Sequence, residues 1–142
     1  MVNIKITVAS FLCSGLIYLF GDFSLYLQSL FLFMLIDILT GCINAFVFKH
    51  SSKTETGSGS SFELLKGFFK KFLMVVCVAI SYRLDIILTT NYIKNSCIIY
   101  FIITELTSII ENFGLMGVPI PNILQNALDL LKKKGEKNEN SE

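Results

Sequence analysis

Asp37, Arg83, Asp85 and Glu105 stand inside apolar stretches long enough to exclude water, and Glu111 lies nearer the end of one. A charge facing hydrocarbon is costly, so such residues turn into a helix bundle or a water-filled path, where they pair, relay protons or line a passage. Arg83 and Asp85 are two residues apart and fall on different helix faces. The expected partners of Arg83 are therefore Glu105 or Asp37 on another helix, of the same subunit or a neighbour. Asp37, Asp85, Glu105 and Glu111 outnumber that one base, so some carboxyls must be protonated or hydrated. Two roles follow: the acids line the aqueous side of an oligomer, or they tie helices together at about 0.6 kcal/mol per interhelical hydrogen bond.

The elements that must position these groups are four apolar blocks, at about residues 2–20, 23–48, 72–90 and 97–113. A spanning helix needs about 20 residues to cross about 30 Å of hydrocarbon. The first block is marginal, a thin span or an interfacial helix, so three or four spans are expected. In the second, Asp37, Thr40, Gly41 and Asn44 cover an arc of about 100°, a polar stripe that faces protein or water. In the fourth, Glu105, Ser108 and Asn112 share a face, with Glu111 beside it. Gly41 reads best as a helix-contact residue.

Residues 62–71 (FELLKGFFKK) interleave Lys66, Lys70 and Lys71 with phenylalanines, as in an amphipathic approach to a membrane surface. After the fourth block, Gly114, Met116, Gly117, Pro119 and Pro121 form a membrane-exit turn that no helix can continue through. Residues 122–131 read as a short amphipathic helix, and 132–142 as a charged, disordered tail. The expected fold is an all-α integral membrane protein, with residues 1–131 as one membrane domain.

Composition excludes several classes. Of 142 residues, 53% are hydrophobic and 16% charged, too few charges for the polar shell of a soluble domain. Cys13, Cys42, Cys77 and Cys97 fall one per block without a C-x-x-C pair, and read as small buried hydrophobes. With His50 the only histidine, no metal, cofactor or catalytic set is indicated, and scattered lysines do not indicate nucleic acid. Neither the amino-terminal run, which lacks a small-residue cleavage site, nor Leu39–Cys42 (LTGC), which lies too deep, reads as a processing signal. Lysines gather at 49–71 and 132–137, so both stretches are expected on the cytoplasmic side of a multi-pass protein.

These residues resemble a known family, the TcdE-like toxin-secretion and phage-lysis holins of Gram-positive bacteria and their phages. LIDILTG matches the family's D-x-x-T-G at Asp37, Thr40 and Gly41, and residues 51–71 are similar to its Ser-, Gly- and Lys-rich cytoplasmic segment. ELTSIIENFGLMGVPIPNIL resembles its signature at Glu105, Ser108, Ile109, Glu111, Asn112, Met116, Gly117, Pro119, Pro121 and Leu124. Thr104 departs from the family's usual Asn. The resemblance implies a non-enzymatic homo-oligomer in the bacterial cytoplasmic membrane that responds to loss of membrane potential. It opens pores or lesions that release a cell-wall hydrolase or a large protein toxin. Two other functions compatible with the residues are a small proton-coupled transporter using Glu105, and an antiholin that blocks another holin's assembly.

Overall fold

The computed structural model describes residues 4–48 and 61–139, and the chain is all-α over them. Five helices follow in order: α1 (Ile4–Phe20), α2 (Leu25–Ile43, continued by a π-helical turn at Asn44–Phe48), α3 (Ser61–Leu88), α4 (Ile93–Leu115) and α5 (Asn122–Glu139). Lys49, His50, Lys53 and the rest of the central connection lie outside the described residues.

Three helices share one packing pattern. On α2 the inward face runs Leu27, Leu30, Met34, Asp37, Gly41, Asn44; on α3 it runs Lys71, Met74, Val78, Ser81, Asp85; on α4, Ile98, Ile102, Glu105, Ile109, Asn112. Steps of three and four keep each row on one side of its helix. Leu27, Leu30, Met34, Met74, Val78, Ile98 and Ile102, with Phe20, form a single buried cluster. Helix α4 is central and packs against α2, α3 and α5. The α2 and α4 carboxyl ends lie together, because Asn44 bonds Asn112, while α3 runs the other way alongside α4 and reaches α2 through Lys71.

Outward faces are greasy. Leu32, Leu35 and Leu39 on α2, and Phe72, Leu73 and Ile80 on α3, are exposed, and α1 exposes every residue except Phe20. Two helices, Leu25–Phe48 and Ile93–Leu115, are long and apolar enough to cross a membrane, and α1 is a shorter apolar helix. Helix α3 carries Lys71, Arg83 and Asp85 along its apolar part.

Two expected boundaries move. The amphipathic segment 62–71 and the block 72–90 are one continuous helix, since no breaker separates them and Lys71 has partners inside the bundle. The short helix expected at 122–131 continues to Glu139, so the first part of the tail expected to be disordered is helical. Lysine is a good helix former, and Leu128 and Leu131 just before this segment keep one side of the helix packed. The cysteines are less buried than expected, with Cys13 and Cys77 exposed and Cys42 and Cys97 half-buried.

Helix ends are set by local chemistry. Gly21 (φ 71°) closes α1 in a left-handed turn, its N–H donating to the Ile17 carbonyl at 2.8 Å. Gly117 (φ 71°) closes α4 with two bonds, Gly117 N–H to Gly114 O at 3.0 Å and Val118 N–H to Phe113 O at 3.0 Å. Helix α3 closes with the same bond pattern, but a β-branched residue, Thr89 (φ 55°), holds the left-handed position. That conformation costs an L-residue roughly 1–2 kcal/mol. Thr89→Gly should therefore raise unfolding stability in detergent by about 1 kcal/mol. Gly21→Ala should lower it by roughly 1–2 kcal/mol or more, because a Cβ there would also lie 2.6 Å from the Tyr82 ring. Thermal melts followed by circular dichroism read both; equal melting of the two variants would contradict this account.

Candidate functional site

A polar cluster occupies the half of the bundle where α2 and α4 end. At its centre Lys71 of α3 donates to Asp37 Oδ2 of α2 at 2.8 Å and to Glu105 Oε2 of α4. These side chains are 11%, 12% and 4% exposed, so three charges sit within the packed interior. Asn112 Nδ2 donates to Asp37 Oδ1 (3.2 Å) and Thr40 Oγ1 (3.1 Å), and the Thr40 hydroxyl donates to the Asp37 carbonyl (3.2 Å). Asn44 Nδ2 in turn donates to the Asn112 carbonyl at 2.9 Å and Oδ1 at 3.3 Å. The π-helical turn starts at Asn44, whose buried Oδ1 has no partner among the described residues.

This cluster corrects two sequence expectations. Lys71, expected at the membrane surface, is the interior base, because it falls on the same row as Met74 and Val78. Lys66 and Lys70 are exposed, and Lys66 pairs with Glu63 at 3.0 Å. Arg83 does not meet Asp37 or Glu105. It donates to the Tyr18 carbonyl at 3.0 Å with its guanidinium 3.9 Å from the Tyr18 ring centre, tying α1 to α3. Gly41 lies beside Asn112, where a Cβ built on it would stand 3.8 Å from Nδ2, an ordinary contact.

Asp85 works at the other end of the bundle. Its carboxylate accepts the N–H groups of Ile93 (3.0 Å) and Lys94 (2.8 Å) and the Thr90 hydroxyl (2.7 Å). Tyr92, at the N-cap of α4, makes no side-chain cap bond, so an acid from α3 satisfies the free amides and the positive end of the α4 dipole. Lys94 is buried and reaches the Phe20 carbonyl (3.1 Å) and Asp22 Oδ1 (2.6 Å), joining the α1–α2 turn to α4. The hydrogen bond from Lys94 holds the Asp22 carboxyl below its ordinary value. That contact therefore stabilises the fold above the usual carboxylate range and fades as acid protonates Asp22. Ser108 is half-buried on the cluster side of α4, while Glu111 and Gly114 are exposed and Met116 half-buried. Among the described residues no group of acids, histidines and cysteines could hold a metal ion.

A buried base bridging acids from two other helices, surrounded by outward apolar faces, has the polarity of a membrane bundle. The family model described as "Bacteriophage holin family" matches residues 14–133. The chain belongs to this holin family. A probable holin of Bacillus phage phi105 is 30% identical over 120 residues, covering 84% of this chain and 82% of its own. An uncharacterized protein of Clostridium perfringens is 33% identical over 136 residues, 94% of each chain, and one of Listeria monocytogenes is 32% identical over 123 residues, 86% of this chain and 82% of its own. No solved structure matches. Holin family membership points to a non-enzymatic membrane protein.

Within this holin-family fold, removing one partner of a buried ion pair costs about 3–5 kcal/mol, because the other charges stay buried unpaired. Lys71→Met should destabilise the bundle in detergent by about that much. Combining it with Asp37→Asn and Glu105→Gln should recover most of the loss. A triple variant no more stable than Lys71→Met would show that the three residues act separately.

Proposed function

We propose that this chain is a holin in the strict sense. It inserts in the bacterial cytoplasmic membrane as a multi-pass protein, oligomerises with copies of itself, and opens lesions through which a cell-wall hydrolase or a large protein toxin leaves. The central connection and the carboxyl terminus face the cytoplasm, where the lysines concentrate. One observation carries the proposal: apolar side chains cover the outside of the helices while Asp37, Lys71 and Glu105 are held inside. That distribution suits lipid around the molecule and self-association within it.

The cluster supplies a route from a tolerated state to an open one. While Lys71 bridges Asp37 and Glu105, none of these three charges faces lipid. For the acids to line water, α3 must part from α2 and α4, and its charges then change depth. The membrane potential acts on such a displacement with about 2.3 kcal/mol per charge per 100 mV. A standing potential can hold the bundle closed, and its collapse releases it.

Inducing the chain alone in a bacterium should, after a delay, admit a membrane-impermeant dye and release a cytoplasmic enzyme. An energy poison should bring the onset forward. Asp37→Asn with Glu105→Gln should change both the delay and the response to the poison. Cells that stay tight throughout would rule out lesion formation; export of a small substrate, or delay of another holin's lysis, would indicate a transporter or an antiholin instead.

A further inference from the structure

Helix α5 folds back along α4, and its position conflicts with where its charges can reside in a bilayer. Leu124, Leu128, Leu131 and Gly135 recur on one side. A Cβ at Gly135 would stand 3.7 Å from Ile103 Cδ1 and 3.9 Å from Ile99 Cγ2, and Lys134 Nζ donates to Tyr26 Oη at 3.0 Å. Gly135 is thus level with the first half of α4, and Lys132 and Lys133 come alongside its middle. If α4 crosses the bilayer, this docked α5 carries Lys132, Lys133, Lys134 and Lys137 into hydrocarbon or toward the side opposite the central connection. Lysine is costly at that depth and favours the cytoplasmic side.

The apolar side of α5 is also wider than α4 can cover. Ile123 and Leu130 extend the leucine row to an arc of about 160°, and both are exposed, at 74% and 66%. Lys137 and Lys132 stand beyond the two edges of that arc and Lys134 within it, and α5 as a whole carries four lysines against Asp129, Glu136 and Glu139. An apolar face flanked by excess ammonium groups fits an interface of anionic headgroups over acyl chains.

We infer that α5 is a lipid-binding element: in the membrane it leaves α4, pivots on the Gly117–Pro121 turn, and lies on the anionic cytoplasmic surface with Ile123, Leu128 and Leu130 among the acyl chains. The inference rests on α4 spanning the bilayer. Departure of α5 bares Ile99 and Ile103 of α4, the surface that α5 covers when docked.

The chain contains no tryptophan, so Leu130→Trp gives a unique reporter at an exposed site on α5, and Ile103→Trp gives one on α4. Each full-length variant is reconstituted in phosphatidylcholine vesicles with or without phosphatidylglycerol, containing lipids brominated near the headgroup or at mid-chain. The L130W indole should be quenched best by the shallow bromines, and only with phosphatidylglycerol. Replacing Lys132, Lys133, Lys134 and Lys137 with Gln should lower that quenching several-fold. The I103W indole should be quenched by mid-chain bromines in both vesicle types. Mid-chain quenching of L130W would mean that α5 stays beside α4, and equal shallow quenching without phosphatidylglycerol would remove the anionic headgroup from its recognition; either overturns the inference. No quenching of L130W while I103W is quenched overturns it too, yet leaves the spanning helix intact. Failure of I103W to be quenched removes the spanning helix and the inference together.

Discussion

Lys71 lies where α2 and α4 would otherwise present two carboxylates to each other across a packed interior. Without the ammonium, Asp37 and Glu105 would repel in a medium that screens poorly, and α2 could not keep its long parallel contact with α4. With it, three helices are bound through one nitrogen, and Asn112, Thr40 and Asn44 complete the bonding of the groups around it. In a bilayer the outward faces would add little to this cohesion, because leucine gains nothing by leaving lipid for another leucine. Polar contacts inside the bundle therefore decide which helices stay together.

Much of this architecture is legible in the sequence, for a definite reason. Apolar length marks the helices, and a stripe such as Asp37, Thr40, Gly41 and Asn44 must face protein, so the inward side of α2 can be read directly. The turn at Gly117 is equally plain, since a positive φ there suits glycine. Pairing between helices is less legible. Lys71 stands beside Lys70 and two phenylalanines, which gives it the local signature of a surface residue. Its true place shows only when it is read forward with Met74, Val78, Ser81 and Asp85 as one inward row.

Arg83 illustrates the complementary failure. Charge complementarity alone matches it to the deepest acids, but its helix face is set by Asp85 two residues on, and that face turns it toward α1. There a carbonyl and an aromatic ring satisfy it without any carboxylate. Asp85 was legible as a buried acid, whereas its use as the cap of α4 depends on the fold that brings the end of α3 beside Ile93. The helix from Lys132 onward is not legible, because a run of charge looks solvated while the leucines that hold it in place lie before it in the chain.

Helix α3 also acts as a ruler. Its inward row begins at Lys71 and ends at Asp85, about 21 Å apart along the axis at 1.5 Å per residue. The two termini of that interval grip α4 at its middle, through Glu105, and at its start, through the amides of Ile93 and Lys94. A slip of one turn, about 5.4 Å, would strand both charges at once. Sliding is thereby made all-or-none, and an assembly built from such units should tolerate small axial strain without yielding and then give way abruptly.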